Sequence, residues 1–291
     1  MGDQIDRTSE KQAQIIRQNL EEYPLMKKFL GKIIGQRLRI ECFTHGMLTA
    51  NLLVNDDENL KKLEGVLELG NSYCRDFTRI FGGRNLSEVS EIADGQIIDL
   101  LAEVKAFEFL HSRGFENITN VRRLTGTRTV DFTAQANEED YAIEVTRLGL
   151  AQSEKKQAIH AYTVNTIRYT KCEDADGFAF KMMTEGLNVD RLKEEISGAI
   201  GNKSAQMRDF CQERGGIWKG IIFISSGRDY FVMGKYENKE YENTPNGDFQ
   251  TALVEISEDL KSQDGCISSI VITRGKDLTK AIIFPSLKTK E

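Results

Sequence analysis

IIDLLAEVKAFEFLHSRGFENITNVRRLTGTRTVDFTAQANEEDYAIEVTRL, residues 97–148, passes from helical periodicity to strand alternation and carries acids at three separate elements. Its first part has helical periodicity and predicts an amphipathic helix from about Ile97 to His111, ended by Gly114. Two runs of alternating polar and apolar residues follow, TVDFTAQA at 129–136 and DYAIEVTR at 140–147, and both predict strands. Successive side chains of a strand point to opposite faces. In the first run Val130, Phe132 and Ala134 therefore share one face, with Asp131 on the other. In the second, Ile143 and Val145 lie opposite Glu144 and Thr146. Taking ANEED, residues 136–140, as the turn centres the hairpin between Asn137 and Glu138, which sets Asp131 across from Glu144 on the same side of the sheet.

Two facing carboxylates repel each other unless a cation lies between them. Oxygen donors favour a hard ion, Mg²⁺ or Mn²⁺. Glu103 adds a third acid: Leu100, Phe107 and Leu110 stand three, four and seven residues from it, which puts it near the apolar stripe of its helix, where a glutamate needs a partner.

A helix with a glutamate, a strand with an aspartate and a strand with an acid two residues before a basic position resemble the core of the PD-(D/E)XK nuclease superfamily. Glu103, Asp131 and Glu144-Val145-Thr146 occupy those three places. The resemblance covers about half of the chain and implies an α/β, restriction-endonuclease-like mixed central sheet flanked by helices. It also implies metal-dependent hydrolysis of phosphodiester bonds, with a DNA endonuclease as the expected activity. Asp131 and Glu144 would hold the metal, the Val145 carbonyl would add a ligand, and Glu103 would complete the set. Val130 replaces the proline of the pattern and Thr146 replaces its lysine, the group that positions the attacking water and stabilises charge at the phosphate. Lys203 is the expected substitute. The predicted helix at about 189–211 has apolar residues at 189, 192, 196, 200, 207 and 210, and Lys203 stands where that stripe would continue, with Gln206 beside it. Some members of the superfamily move the lysine to such a helix. Strand alternation points Arg147, the competing cation, away from Glu144.

The chain has 291 residues, 40% of them hydrophobic, enough for a sizeable core. The organisation read from it is a mainly helical N-terminal region to residue 85 and a nuclease-like domain from 86 to 291. A formal net charge of −6 argues against a protein that coats nucleic acid non-specifically. Basic residues nevertheless cluster in sequence around the acids: Arg122, Arg123, Arg128, Arg147, Lys155, Lys156, Arg168 and Lys171. Arg128, Arg147, Lys155, Lys156 and Gln206 are the candidate nucleic-acid contacts, and a solvated mixed-charge surface is the plainer reading of any one of them. No apolar run spans a membrane and the N-terminus lacks a signal-peptide core, so a soluble cytoplasmic protein is expected. Cleaving both strands of a duplex would call for a homodimer. The five cysteines, at 42, 74, 172, 211 and 266, include no C-x-x-C pair and read as reduced buried thiols. His45, His111 and His160 each lack a second histidine or cysteine at metal spacing and read as structural.

Elsewhere, residues 4–34 predict a helix kinked or broken at Pro24, and DDEN at 56–59 opens a helix running to about Phe81. A further helix is expected at about 151–171 and a loop at 172–188. IWKGIIFISSG at 217–227 reads as a buried central strand, 229–236 as a further strand, DFQTALVEISEDL as a helix, and CISSIVIT and KAIIFPS as the last strands. Phosphate-loop and dinucleotide fingerprints are absent. Taken singly, each acid also has a dull reading, Asp131 and Glu144 as solvent-facing hairpin residues and Glu103 as a partly exposed helix residue. A second function therefore stays open: a catalytically degenerate nuclease-fold module that binds nucleic acid or a partner protein, favoured by the missing lysine and the acidic charge. A third is an unrelated α/β protein.

Overall fold

In a computed structural model, the described residues are 18–34, 57–73, 77–78, 90–121, 129–148, 189–225, 246–263, 266–273 and 278–284. Among them are five α-helices, α1 (Pro24–Ile34), α2 (Asp57–Tyr73), α3 (Ser90–Ser112), α4 (Val189–Arg214) and α5 (Asn246–Gln263). The strands are β1 (Glu116–Asn120), β2 (Phe132–Ala136), β3 (Glu139–Arg147), β4 (Trp218–Ser225), β5 (Ile267–Thr273) and β6 (Ile282–Phe284). They form a six-stranded mixed sheet whose order follows the chain. The α/β class with flanking helices expected from the sequence is therefore present. The chain divides into two compact units, residues 1–145 with two short later segments, and most of 146–288. The helices of the first third are grouped with β1, β2 and β3 as far as Val145. No helix among the described residues is long and apolar enough to cross a membrane.

In the first unit, Pro24 opens α1, where its missing N–H costs nothing. The expected kink or break is a break. The next two amide groups, Leu25 and Met26, donate to the Glu64 carboxylate of α2 at 2.8 and 2.7 Å, so an acid from a neighbouring helix caps α1. The α3 helix departs from the amphipathic expectation, because every residue from Leu100 to Phe107 is buried. It packs against both α2 and β1 and so has no solvent face along these turns. Gly114 follows it at φ +75°, the left-handed conformation that ends helices.

The β2–β3 hairpin is tighter than the five-residue turn anticipated. Asn137 and Glu138, at φ 52° and 64°, form a two-residue turn with both central residues left-handed, and the ladder runs from Ala136↔Glu139 to Phe132↔Ile143. The centre falls between Asn137 and Glu138 as expected, so the register is the expected one. The strand β1 was not anticipated. It is short and polar, with Asn117 at φ 51° and an irregular register between Glu116 and Thr119, so alternation is interrupted at its start.

In the second unit, β4 and β5 are parallel and β6 pairs antiparallel to β5. A parallel pair needs a crossover connection, and α5 lies within it. Ile221, Ile222, Phe223 and Ile224 are all wholly buried, as expected of a central strand covered on both faces. The α4 helix packs on β4 and on α5, with Lys193 bonded to Glu255 at 2.8 Å. Gly215, at φ +66°, follows its last turn.

Candidate functional site

Burial separates the hairpin acids from ordinary hairpin carboxylates. Asp131 is 4% exposed and Glu144 0%, which rules out the solvent-facing reading of both. The cause for Glu144 lies in β3, whose residues Tyr141 to Val145 are buried without a break, so both of its faces are covered. Alternation still separates Glu144 from Ile143 and Val145, but neither side meets water.

Asp131 and Glu144 come immediately after the last ladder pair, Phe132↔Ile143. There the pairing shifts: the Asp131 amide donates to the Ile143 carbonyl at 3.0 Å, and Asp131 Oδ2 accepts the Val145 amide at 2.8 Å. The aspartate thus caps the end of the β2–β3 ladder with its side chain, and its own carbonyl accepts from Val121 at 3.1 Å on the β1 side. A carboxylate accepting a backbone N–H in a buried place is a strong, orienting bond. It fixes Asp131 beside the residue that follows Glu144.

Glu103 is buried as well, at 5% exposure, which excludes the partly exposed reading. It shares a helix face with Phe107, one turn on, whose ring packs on Phe77 at 4.8 Å and Tyr73 at 5.8 Å. That face is met by aromatic rings of the helical region. Among the described residues no three His, Cys, Asp or Glu side chains form a group that would hold a metal ion. The acids brought together in sequence by the strand register are Asp131 and Glu144.

Lys105 is the residue that sequence reasoning missed. It is 1% exposed, and it lies about 200° round the helix from Glu103. With Glu103 and Glu108 two and three residues away, the sequence carries no clear signal for it. Its burial follows from the helix being packed against both α2 and β1. Glu103, Lys105, Asp131 and Glu144 all take part in interactions, as buried ionised groups must.

The substitute lysine and its neighbour lie in the second unit. Lys203 and Gln206 are half-buried on α4, and the buried stripe Leu192, Ile196, Ile200, Met207, Phe210 is continued by Ser204 and not by Lys203. The hydroxyl of Ser204 donates to the Gly201 carbonyl at 3.1 Å, so a small polar residue can fill the buried position at no loss of hydrogen bonding. Arg147 and Thr146, at the end of β3, are half-buried. Arg128, Lys155, Lys156 and the other basic residues of 122–128 and 155–171 lie outside the described residues, as do His45, His160, Cys42, Cys74 and Cys172. The helix expected at 151–171, the loop at 172–188 and the strand at 229–236 lie outside them too. His111, half-buried, stacks edge-on against Tyr73 at 5.1 Å, in keeping with a structural role.

At the other end of the hairpin the chemistry is that of a surface. Asn117 Nδ2 donates to Gln135 Oε1 at 2.6 Å and Gln135 Nε2 to Asp140 Oδ1 at 2.8 Å, linking three strands across an exposed edge. Tyr141 donates its hydroxyl to Glu139 at 3.1 Å, and burial together with that bond pushes the phenol up to about 12. Comparison with protein-family models, with curated proteins and with solved structures gave no match.

Proposed function

We propose that this chain is a divalent-metal-dependent phosphodiesterase of restriction-endonuclease-like fold, a nuclease with DNA as its expected substrate. The observation that supports it is the burial of Asp131, just before β2, and Glu144, within β3, at adjoining positions, a pair of carboxylates that a bound cation would favour. The donor chemistry fits Mg²⁺ or Mn²⁺: two carboxylates and the Val145 carbonyl are hard oxygen donors. Two acids suffice for such an ion, because Mg²⁺ keeps several waters and takes one or two carboxylates together with substrate phosphate. When bound, the ion supplies Lewis-acid stabilisation of charge at the scissile phosphate and acidifies water for the attack. Asp131, held by the Val145 amide, orients the end of β3, and Glu144 provides the second oxygen donor. Glu103 serves as a supporting acid, judged by its own variant.

The second reading, a nuclease-fold module that binds without cutting, draws on two observations. Thr146 stands at the lysine position, and one oxygen of Asp131 is already committed to the backbone. Cleavage of supercoiled plasmid with Mg²⁺ or Mn²⁺ separates the two. Nicking by the wild type that falls at least about 100-fold in Asp131→Ala and Glu144→Ala is the expected result. A parallel loss in Lys203→Ala identifies the replacement lysine. A wild type that leaves plasmid, linear DNA, single-stranded DNA and RNA whole favours the binding module.

A further inference from the structure

The second unit holds a pair of sulfur atoms that no sequence motif joins. Cys211 lies near the C-terminal end of α4 and Cys266 immediately before β5, 55 residues apart, yet their Sγ atoms are 2.8 Å from each other. Both are free thiols and both are half-buried, so a small reagent has access to them.

Their approach follows from the packing around Gly220. A Cβ on that residue would stand 2.1 Å from Met207 Sδ and 2.8 Å from the Cys266 carbonyl, so only glycine lets α4, β4 and the start of β5 come this close. The Gly220 amide donates to that same Cys266 carbonyl at 2.7 Å, and Ser268 Oγ donates to the Gly220 carbonyl at 2.9 Å. The Cys266 backbone is therefore pinned to β4. Cys211 lies one turn beyond Met207 on the same face of α4. Its neighbour Phe210 packs edge-on against Trp218 at 5.5 Å, and the Arg214 guanidinium lies over the Phe210 ring at 5.4 Å. Both sulfurs are thus carried on anchored elements, and closing the remaining gap to the ~2.05 Å of a disulfide requires only a small movement.

The geometry points to a reversible redox modification site: Cys211 and Cys266 form an intramolecular disulfide by exchange with a small-molecule disulfide of the glutathione type. This inference does not depend on the proposed nuclease activity.

Burial, the hydrogen bond with Cys266 and the charge of Cys266 push the Cys211 thiol up to about 12. Exchange can start at either sulfur, and the balance is the same when it starts at Cys266. Its thiol gives its proton to solvent, its sulfur bonds to one sulfur of the small disulfide, and the other half leaves as a thiolate that takes up a proton. With Cys266 in a mixed disulfide, its charge and its hydrogen bond no longer hold up the Cys211 thiol. Cys211 then loses its proton, attacks the Cys266 sulfur, and expels the second small thiol. One small disulfide is reduced to two thiols and the protein dithiol is oxidised by two electrons.

The test is to treat the full chain with oxidised glutathione, alkylate the remaining thiols, and map the peptides by mass spectrometry without reduction. The expected result is a 211–266 cross-linked peptide lighter by two hydrogens than the dithiol pair, reversed by dithiothreitol. Closing a loop of this length should raise the midpoint of unfolding by roughly 5 °C or more. Cys211→Ser should stop at a glutathione adduct on Cys266, which keeps the proposal testable without the cross-link. Oxidised wild type in which Cys211 and Cys266 are still alkylated, or carry only glutathione adducts, would overturn the proposal.

Discussion

The two compact units bury very different polar groups. Among the described residues, the first unit encloses Glu103, Lys105, Asp131 and Glu144, four ionisable side chains, while the buried polar side chains of the second are Ser204, Ser225, Ser269 and Thr273, all neutral hydroxyls. Hydroxyls are easily housed, since each can bond a nearby carbonyl, on its own helix as Ser204 does with Gly201 or on the neighbouring strand as Thr273 does with Ile224. Buried charges are not easily housed, and they persist where chemistry requires them. On the proposed function, the chemistry would belong to the hairpin unit and the parallel β4–β5 pair would be structural.

The comparison breaks most visibly if a charge is planted in the neutral unit. Ile222→Asp places an unpaired carboxylate in a wholly buried site on β4 and should cost at least about 4 kcal/mol, measured by urea unfolding. A variant as stable as wild type would show that the second unit tolerates charge after all. The converse change removes a charge from the first unit. Glu144→Gln keeps the shape and deletes the carboxylate, so plasmid nicking should be lost while the cooperative urea transition is retained. Nicking at the wild-type rate in Glu144→Gln would mean that Glu144 is a structural partner of its buried neighbours and nothing more. A smaller effect sharpens the hairpin half of the contrast. Glu138 has φ 64° in the two-residue turn, so Glu138→Gly should stabilise by about 0.4–1 kcal/mol in the same unfolding experiment and leave nicking unchanged.

The hairpin was legible because strand alternation and a central turn fix register together. Asn137-Glu138 gave the centre, and with it the adjoining positions of Asp131 and Glu144, although the turn proved tighter than the five residues ANEED suggested. The β4 strand was legible from its continuous apolar run. What escaped depended on tertiary contacts. The burial of Lys105 follows from α3 having helix on one side and strand on another, and the close approach of Cys211 to Cys266 follows from a glycine on a third element. The α4 stripe misled for a local reason: a gap between Ile200 and Met207 can be filled by position 203 or 204, and the small Ser204 takes it. The polar, bulged β1 offered no periodicity to read.

In the proposed site Asp131 and Glu144 hold a divalent cation. Thermal unfolding with and without Mn²⁺ tests it without requiring a substrate. At a concentration about 100 times the dissociation constant, Mn²⁺ should stabilise the wild type by about 2.7 kcal/mol and leave Asp131→Asn and Glu144→Gln close to their metal-free midpoints. No Mn²⁺ effect on the wild type, or the same effect on all three proteins, would mean that these two acids hold no cation.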